Sequence, residues 1–269
     1  MVQDDDIYEI HAVKYAENDR PAYKNFLDGD PHDNASMPLD YFVWAIVGKT
    51  RSFVLDTGFD AEVGAKRGRS LLRTPAEGLK MVGVDAATVA DVVLSHMHYD
   101  HAGNHTMFPA ARYHLQDREM AYCTGRCMCH LALRHPFEAA DVTAMVGRVF
   151  EGRASFHDGA AEIAPGVSLH HVGGHSLGLQ VMRVRTRRGW VVLASDASHF
   201  YANFEQGRPF PIVADVPQTL EGYAALHRLA SSRHHIVPGH DPLVLARYPS
   251  SGPGLEGIAV RLDADPVGY

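Results

Sequence analysis

A dense run of metal-binding side chains directly follows a short apolar stretch, and this restricts the fold more than any other feature. Residues 92–94 are apolar, and His96, His98, Asp100 and His101 come next. Imidazole and carboxylate groups together are typical ligands of zinc and similar divalent ions. A loop at the end of a strand can point all four groups toward one place. The run therefore predicts a metal site at a strand end, and steric crowding favours two adjacent ions over one.

Three further ligand-type residues are placed in the same way elsewhere. They follow apolar, strand-like segments: His175 after residues 167–172, Asp196 after residues 190–194, and His240 after residues 236–237. Glycine precedes both histidines, which lets the backbone approach closely. A lone loop histidine is usually hydrated or hydrogen-bonded. Three residues placed alike after three strands instead predict that all three join the first cluster.

The rest of the chain alternates short apolar segments with loops and helical patterns. Further strands are expected at residues 7–15, 41–47, 52–55 and 179–186, and helices at residues 75–82, 117 to about 149, and 216–231. Two strand-rich halves, each followed by helices, predict two packed sheets with helices on their outer faces. We find no repeat or linker and expect one domain over residues 1–269. The polar residues 17–36 are too many for a turn and predict a lid over the site or an arm exchanged in a homodimer.

Composition excludes several classes of protein. The net charge is −7, from 32 acidic and 25 basic residues, whereas binding of nucleic acid irrespective of sequence needs clustered positive charge. The apolar runs are too short to span a membrane, and the acidic start does not resemble a signal peptide. Cys123, Cys127 and Cys129 do not make a disulfide framework, so we expect a reducing, cytoplasmic location. Free thiols are favoured over a structural zinc site with His130.

The pattern HxHxDH, with a distant His, Asp and His, resembles the signature of the metallo-β-lactamase superfamily. Residues 54–58 also resemble an early strand and turn of that family, and the similarity runs from about Tyr41 to Asp241. It implies an α/β fold, an αββα sandwich with a dinuclear metal site at the edge between two sheets. It assigns one ion to His96, His98 and His175, the other to Asp100, His101 and His240, and makes Asp196 the bridge. Zinc is expected, although such ligands also accept manganese, iron or cobalt.

Within the superfamily the sequence looks most like the quorum-quenching lactonases that open N-acyl-homoserine lactones. His98 stands where the flavodiiron oxidoreductases have Glu, and the lactam-cleaving branches generally lack the aspartate found here at Asp196. Thioesterases of the glyoxalase II type share all seven ligands but carry a basic C-terminal region, whereas only two arginines and no lysine follow His240. Hydrolysis of another lactone, an aryl ester or a thioester is the alternative. A metal-binding protein without catalysis is a third hypothesis.

The resemblance implies attack on the lactone carbonyl by a hydroxide that bridges the two ions. Asp100 would pass a proton to the leaving alkoxide. Better-known lactonases place a tyrosine three residues after the bridging aspartate, where it contacts the substrate carbonyl. This chain has His199 there, followed by Phe200 and Tyr201, so His199 or Tyr201 is expected to make that contact.

Several other residues have two interpretations. Met37, Phe59, Phe200 and Tyr201 could line a pocket for an acyl chain, or they could be ordinary core. Asp56 could orient a ligand histidine or cap the turn that follows it. His105 is expected near the site, but not as a ligand.

Overall fold

Thirteen strands and nine α-helices make up the described part of this computed structural model, which covers residues 7–267. The strands are β1 (Glu9–Asn18), β2 (Leu39–Val47), β3 (Ser52–Leu55), β4 (Ser70–Leu71), β5 (Asp91–Val93), β6 (Arg112–Gln116), β7 (Ala154–His157), β8 (Ala160–Ala164), β9 (Val167–His171), β10 (Gln180–Thr186), β11 (Gly189–Ser195), β12 (Ile236–Pro238) and β13 (Ala259–Arg261). The helices are α1 (Ala61–Arg67), α2 (Pro75–Met81), α3 (Tyr99–Ala102), α4 (Asp117–Cys123), α5 (Leu131–Arg134), α6 (Ala139–Phe150), α7 (Tyr201–Gln206), α8 (Val216–Leu229) and α9 (Leu243–Arg247). The acidic residues 1–6, on which the signal-peptide prediction depended, lie outside the described residues.

The strands form two sheets. The first has the order β13-β1-β2-β3-β5-β6-β7, with β4 also paired to β1, and the second has the order β12-β11-β10-β9-β8. In the first sheet β3, β5, β6 and β7 run parallel, whereas β13, β1, β2 and β3 alternate in direction. In the second sheet only β11 and β12 are parallel.

Alternating side chains divide the core into two layers. Phe42 and Trp44 of β2 pack in one cluster with buried residues of the second sheet such as Val181. Tyr41 and Val43 point the other way, as successive residues of a strand must, into a cluster to which α2 and α6 contribute. On the second sheet, α8 packs against β11. The predicted αββα sandwich is confirmed.

The clearest local sequence patterns predicted helices and strands that the structure contains. The expected helices at residues 75–82 and 216–231 correspond to α2 and α8, and each predicted strand has a counterpart. Thr74 caps α2: its hydroxyl accepts the N–H of Glu77, and the Glu77 carboxylate accepts the N–H of Thr74. The prediction missed four short helices, α1, α3, α7 and α9, and five strands, β4, β6, β7, β8 and β13. These strands are only two to five residues long, too short for a clear alternating pattern.

The predicted helical region 117–149 is wrong as a continuous element. It consists of α4, a 3-10 turn at Arg126–Cys129, the short α5, and α6. Gly125 has extended backbone angles, and Pro136 has no N–H to continue a helix. Cys127 and Cys129 therefore lie on the 3-10 turn and not on a helix face. The three thiols are free, and burial raises the pKa of Cys123 to about 12.

The long polar segment packs on its own chain. Residues 21 and 36 form a bridge that closes it, and Ala22–Asn25 make a 3-10 turn inside it. Leu27 N–H donates to the Pro209 carbonyl at 2.7 Å, and Asn203 donates to the Asn25 carbonyl at 3.2 Å. The segment is thereby held against the end of α7. Its exchange within a homodimer stays a prediction.

Within residues 7–267, the helices all lack the combination of length and apolar character that a bilayer crossing requires.

Candidate metal centre

The predicted ligands lie where strands of both sheets end. β5 ends at Val93 and α3 begins at Tyr99, so residues 96–101 occupy the connecting turn and the start of α3. The other three come after strands of the second sheet: His175 after β9, Asp196 after β11 and His240 after β12. The tertiary fold thus brings segments from four strand ends to one edge of the sandwich.

Two backbone features direct the loops inward. Gly174 has a φ of 86°, and a Cβ there would lie 2.5 Å from the Thr219 hydroxyl oxygen, so only glycine fits before His175. Ser195 has a φ of 44°, a conformation that a non-glycine residue adopts at a cost. It turns the chain directly before Asp196.

The structure brings all seven predicted side chains together. Each is at most 9% exposed, and Asp100 is the most accessible of them. Potential ligand atoms of His96, His98 and His175 form one group, and those of Asp100, His101 and His240 form another, each within 4.8 Å. Asp196 reaches both groups. Its Oδ2 lies 3.2 Å from Nε2 of His175, and its Oδ1 lies 2.9 Å from Nε2 of His240.

The hydrogen bonds of the histidines show that these groups fit divalent ions. Nδ1 of His101 donates to the Asp56 carboxylate at 2.7 Å, Nδ1 of His240 donates to the Asp40 carbonyl at 2.8 Å, and Nδ1 of His175 donates to the Ile212 carbonyl. Since these oxygens only accept, each Nδ1 carries a proton, which leaves each Nε2 as the nitrogen that can bind a metal ion.

The Nε2 atoms point at one another in a buried space. Nε2 of His96 and Nε2 of His175 are 3.1 Å apart. Nε2 of His101 and Oδ1 of Asp196 are buried and make no hydrogen bond. Such an arrangement is unfavourable unless a cation lies between the donors. The seven predicted ligands, called the donor set because their atoms can donate electron pairs to a metal ion, therefore fit two cations that share Asp196.

Local electrostatics also favour positive charge here. Burial lowers the pKa of His96 and His98 well below the usual range, so both are neutral. Burial opposes charge on His101 too, but Asp196, Asp100 and Asp56 outweigh it and raise its pKa. Burial alone would raise the pKa of Asp196, yet the surrounding histidines hold it well below its usual range. Divalent ions can take over the positive charge that protons otherwise supply.

Asp56 lies behind the predicted ligands and is fully buried. Its carboxylate accepts the Ser95 N–H at 2.7 Å, the hydroxyls of Ser95 and Ser195 at 3.0 and 3.2 Å, and His101 Nδ1–H at 2.7 Å. Of the two interpretations, the structure thus favours the one in which Asp56 orients a ligand histidine. Its φ of 62° places it, like Ser195, in a conformation unusual for a non-glycine residue.

Sequence reasoning missed Glu119, which is fully buried in α4. Its carboxylate accepts the Met97 N–H at 2.8 Å, the Gly178 N–H at 3.0 Å and the Ser176 hydroxyl. It therefore joins the loop of His96 and His98 to the loop of His175. A single glutamate in a helical pattern gives no sign of this role, because its partners, two backbone N–H groups and one hydroxyl, are distant in sequence.

The predicted substrate contacts have different surroundings. His199 lies beside the donor set, with Nε2 3.0 Å from Oδ2 of Asp196, and its ring stacks on Phe210 at a centroid distance of 3.5 Å. The Tyr201 ring instead packs near Phe204, and the Arg247 guanidinium lies 3.8 Å above it.

The predicted apolar lining is largely buried. Phe59 and Phe200 are each 1% exposed and belong to the cluster that contains Tyr41. Met37 is half-buried beside the same cluster. Their surroundings match the core-packing interpretation, and an acyl-chain role stays a prediction. His105 is buried near Tyr113 and belongs to none of the donor groups found among residues 7–267.

Comparison with known families agrees with this fold. The family model described as "Metallo-beta-lactamase superfamily" matches residues 37–245, which is more than half of the chain. The chain therefore belongs to the metallo-β-lactamase superfamily, as the HxHxDH pattern indicated.

Two relatives of this chain are both named N-acyl homoserine lactonase. An N-acyl homoserine lactonase from a Bacillus species is 30% identical over 133 residues, 49% of this chain and 48% of that protein. An N-acyl homoserine lactonase from Agrobacterium fabrum is 28% identical over 229 residues, 74% of this chain and 78% of that one. The match thus spans about half the length of the Bacillus relative.

One solved structure shares the fold over nearly the whole chain. It is an N-acyl homoserine lactone hydrolase with the product N-hexanoyl-L-homoserine bound at its catalytic metal centre. Its TM-score is 0.71 at 21% identity, covering 90% of this chain and 94% of that one.

Proposed function

We propose that this chain is a metal-dependent hydrolase that opens lactone rings, with N-acyl-homoserine lactones as its substrates. The observation that carries the proposal is Asp196. One of its oxygens lies 3.2 Å from His175 Nε2 and the other lies 2.9 Å from His240 Nε2. These two histidines belong to the two different halves of the donor set. The relatives named N-acyl homoserine lactonase support the choice of substrate.

The seven donors would hold two divalent ions. We assign His96, His98 and His175 to the first, Asp100, His101 and His240 to the second, and Asp196 to both. The histidine-rich set suits zinc, and manganese, iron or cobalt are chemically acceptable. Divalent ions in these positions would act as Lewis acids and supply activated water at neutral pH.

Asp100 is the residue best placed to move a proton. It is the most exposed of the seven donors, and its Oδ2 lies 3.7 Å from His101 Nε2 and 3.8 Å from His240 Nε2. Its carboxylate can accept a proton from the attacking water and deliver it to the ring oxygen when the ester bond breaks. Water thus adds across the ester, giving an alcohol and a carboxylic acid, and the acid releases one proton to solvent as it becomes a carboxylate.

His199 is the better candidate of the two for contact with the substrate carbonyl. Burial lowers its pKa to about 3, so it acts as a neutral hydrogen-bond donor and not as an acid. Its Nε2–H donates to Asp196, and a substrate carbonyl oxygen arriving there would compete for that N–H. As negative charge develops on this oxygen, the hydrogen bond to it strengthens.

We also infer a cytoplasmic location, because three free cysteines suit a reducing compartment.

Metal analysis and an activity screen of one preparation test the proposal. We expect two divalent ions per chain and hydrolysis of N-hexanoyl-homoserine lactone, which is measured through the release of protons. The panel includes γ-butyrolactone, phenyl acetate and a glutathione thioester. Turnover of the thioester without opening of any lactone would overturn the assignment.

A further inference from the structure

A cavity of about 480 Å³ beside the candidate metal centre has lysine or arginine at half of its lining positions. Its charged residues are Lys66, Arg67, Arg69 and Arg134, with Glu138 as the one lining carboxylate. The whole chain carries a net charge of −7, so this positive cavity does not reflect the average composition. It is a local feature that needs a physical explanation.

The single carboxylate is already paired. Glu138 lies 2.7 Å from Lys66 and 2.8 Å from Arg67. Arg69 has only neutral partners, since it donates to the Tyr99 hydroxyl at 3.0 Å and to the Arg67 carbonyl at 2.9 Å. Arg134 lies 3.5 Å from two backbone carbonyls. Within residues 7–267, neither Arg69 nor Arg134 forms an ion pair with a carboxylate, so an anion entering the cavity would meet two guanidinium groups that no carboxylate contacts.

A third guanidinium approaches from the neighbouring strand. β1 and β4 are antiparallel with Glu17 opposite Ser70, so the residues that follow β1 come close to those that precede β4. This register places Arg20 near Arg69. Nε of Arg20 is buried and makes no hydrogen bond. Positive charge therefore accumulates on this side of the site.

The cavity adjoins the predicted ligands through two aromatic side chains. Phe137 lines it, and the Phe137 ring centroid is 4.5 Å from that of His98. Tyr99 stands between His98 and Asp100 in the sequence, receives the hydrogen bond from Arg69, and lies 4.0 Å below the Arg67 guanidinium. Phe137 thus contacts both the cavity and a predicted ligand, and the Tyr99 hydroxyl joins Arg69 to the segment that carries His98 and Asp100.

We propose that this cavity is a subsite for a carboxylate on the substrate, recognised by Arg69 and Arg134. The inference rests on the proposed lactonase function and narrows it. The preferred lactones carry an acyl group that ends in a carboxylate instead of an alkyl chain. Guanidinium groups bind carboxylates through paired, charge-assisted hydrogen bonds, which gives the selectivity a geometric basis.

A matched set of substrates tests the subsite. N-glutaryl-homoserine lactone, its methyl ester and N-hexanoyl-homoserine lactone share the ring and the amide and differ at the end of the acyl group. We expect KM for the carboxylate to be about tenfold lower than for the methyl ester, as one charge-assisted hydrogen bond would give. The advantage shrinks in high salt.

Variants locate the effect. Arg134→Gln and Arg69→Gln should reduce the ratio of the two KM values toward one, whereas Arg134→Lys retains part of it. Arg112→Gln, at the exposed start of β6, is the matched control and should leave the ratio unchanged. Equal KM values for carboxylate and ester in the wild type would overturn the subsite.

Binding measurements that need no catalysis distinguish a failure of the carboxylate subsite from a failure of the proposed lactonase function. Calorimetric titration compares the ring-opened N-glutaryl-homoserine with its side-chain methyl ester, on wild type and Arg134→Gln. If no lactone is opened, the proposed function fails. A wild-type preference for the carboxylate that Arg134→Gln loses still supports the subsite, and no preference refutes it.

Discussion

Replacing Asp56 by asparagine tests how the protein prepares one half of the candidate metal centre. In the native protein one carboxylate oxygen accepts the Ser95 N–H at 2.7 Å, and the other accepts His101 Nδ1–H at 2.7 Å. The Ser95 N–H can only donate, so the carbonyl oxygen of the new asparagine must stay there. The amide NH2 then faces His101. To accept from it, His101 must move its proton to Nε2, which removes the lone pair needed for a metal ion.

The expected loss follows from this change of tautomer. Changes to residues that orient a metal-bound imidazole typically reduce metal affinity about 10- to 100-fold, or about 1.4–2.7 kcal/mol. The loss should fall on the ion assigned to His101, and the ion assigned to His96, His98 and His175 should be less affected. Competition with a chelator, followed by metal analysis at each step, resolves the two ions.

A matched control is available elsewhere in the core. Asp263 is 8% exposed, and its carboxylate accepts the Ile10 N–H at 3.1 Å and pairs with Arg261. Asp263→Asn should reduce thermal stability without changing metal affinity. If Asp56→Asn binds both ions as tightly as the wild type, the argument about the His101 tautomer is refuted.

Three further predictions follow from the site. Asp196→Ala should reduce metal content to one ion or fewer and abolish turnover; a fully active variant would exclude the bridging role. Glu119→Gln places an NH2 group against the N–H and O–H groups that donate to Glu119. It should lower the free energy of unfolding by about 1.5–3 kcal/mol, measured by thermal melting. An unchanged melting temperature would show that these hydrogen bonds contribute little. His199→Ala should lower kcat about 100-fold or more without loss of metal, whereas Tyr201→Phe should leave it nearly unchanged; the opposite result would assign the carbonyl contact to Tyr201.

The fold was predictable where local chemistry is strong. β2 is recognised by its apolar residues, and α2 by its helical spacing after Thr74, a residue type that often caps helices. The region after Asp117 failed because its apolar spacing resembles a long helix, whereas Gly125 and Pro136 interrupt it. Short strands such as β6 and β13 are set by pairing with distant neighbours, and so local pattern did not reveal them.

The candidate metal centre was likewise predictable only in part. Its seven donors were visible in the sequence because metal-binding chemistry restricts residue type and places them directly after apolar strands. The groups that orient them were not visible. Backbone carbonyls at Asp40 and Ile212 exist at every position and carry no sequence signal.

The amino-acid sequence by itself determined the superfamily, the two-sheet architecture and the residues that could bind metal, because each depends on residue type and local spacing. Only the tertiary structure decided which nitrogen of His101, His175 and His240 faces the site. It also decided that Glu119 joins two loops of the site, and that His199 lies beside Asp196 while Tyr201 packs near Phe204. It also placed Arg69 and Arg134 around one cavity in which the single lining carboxylate, Glu138, pairs with other residues. These features arise from contacts between segments far apart in the chain, whose geometry is set by how the two sheets and their helices pack.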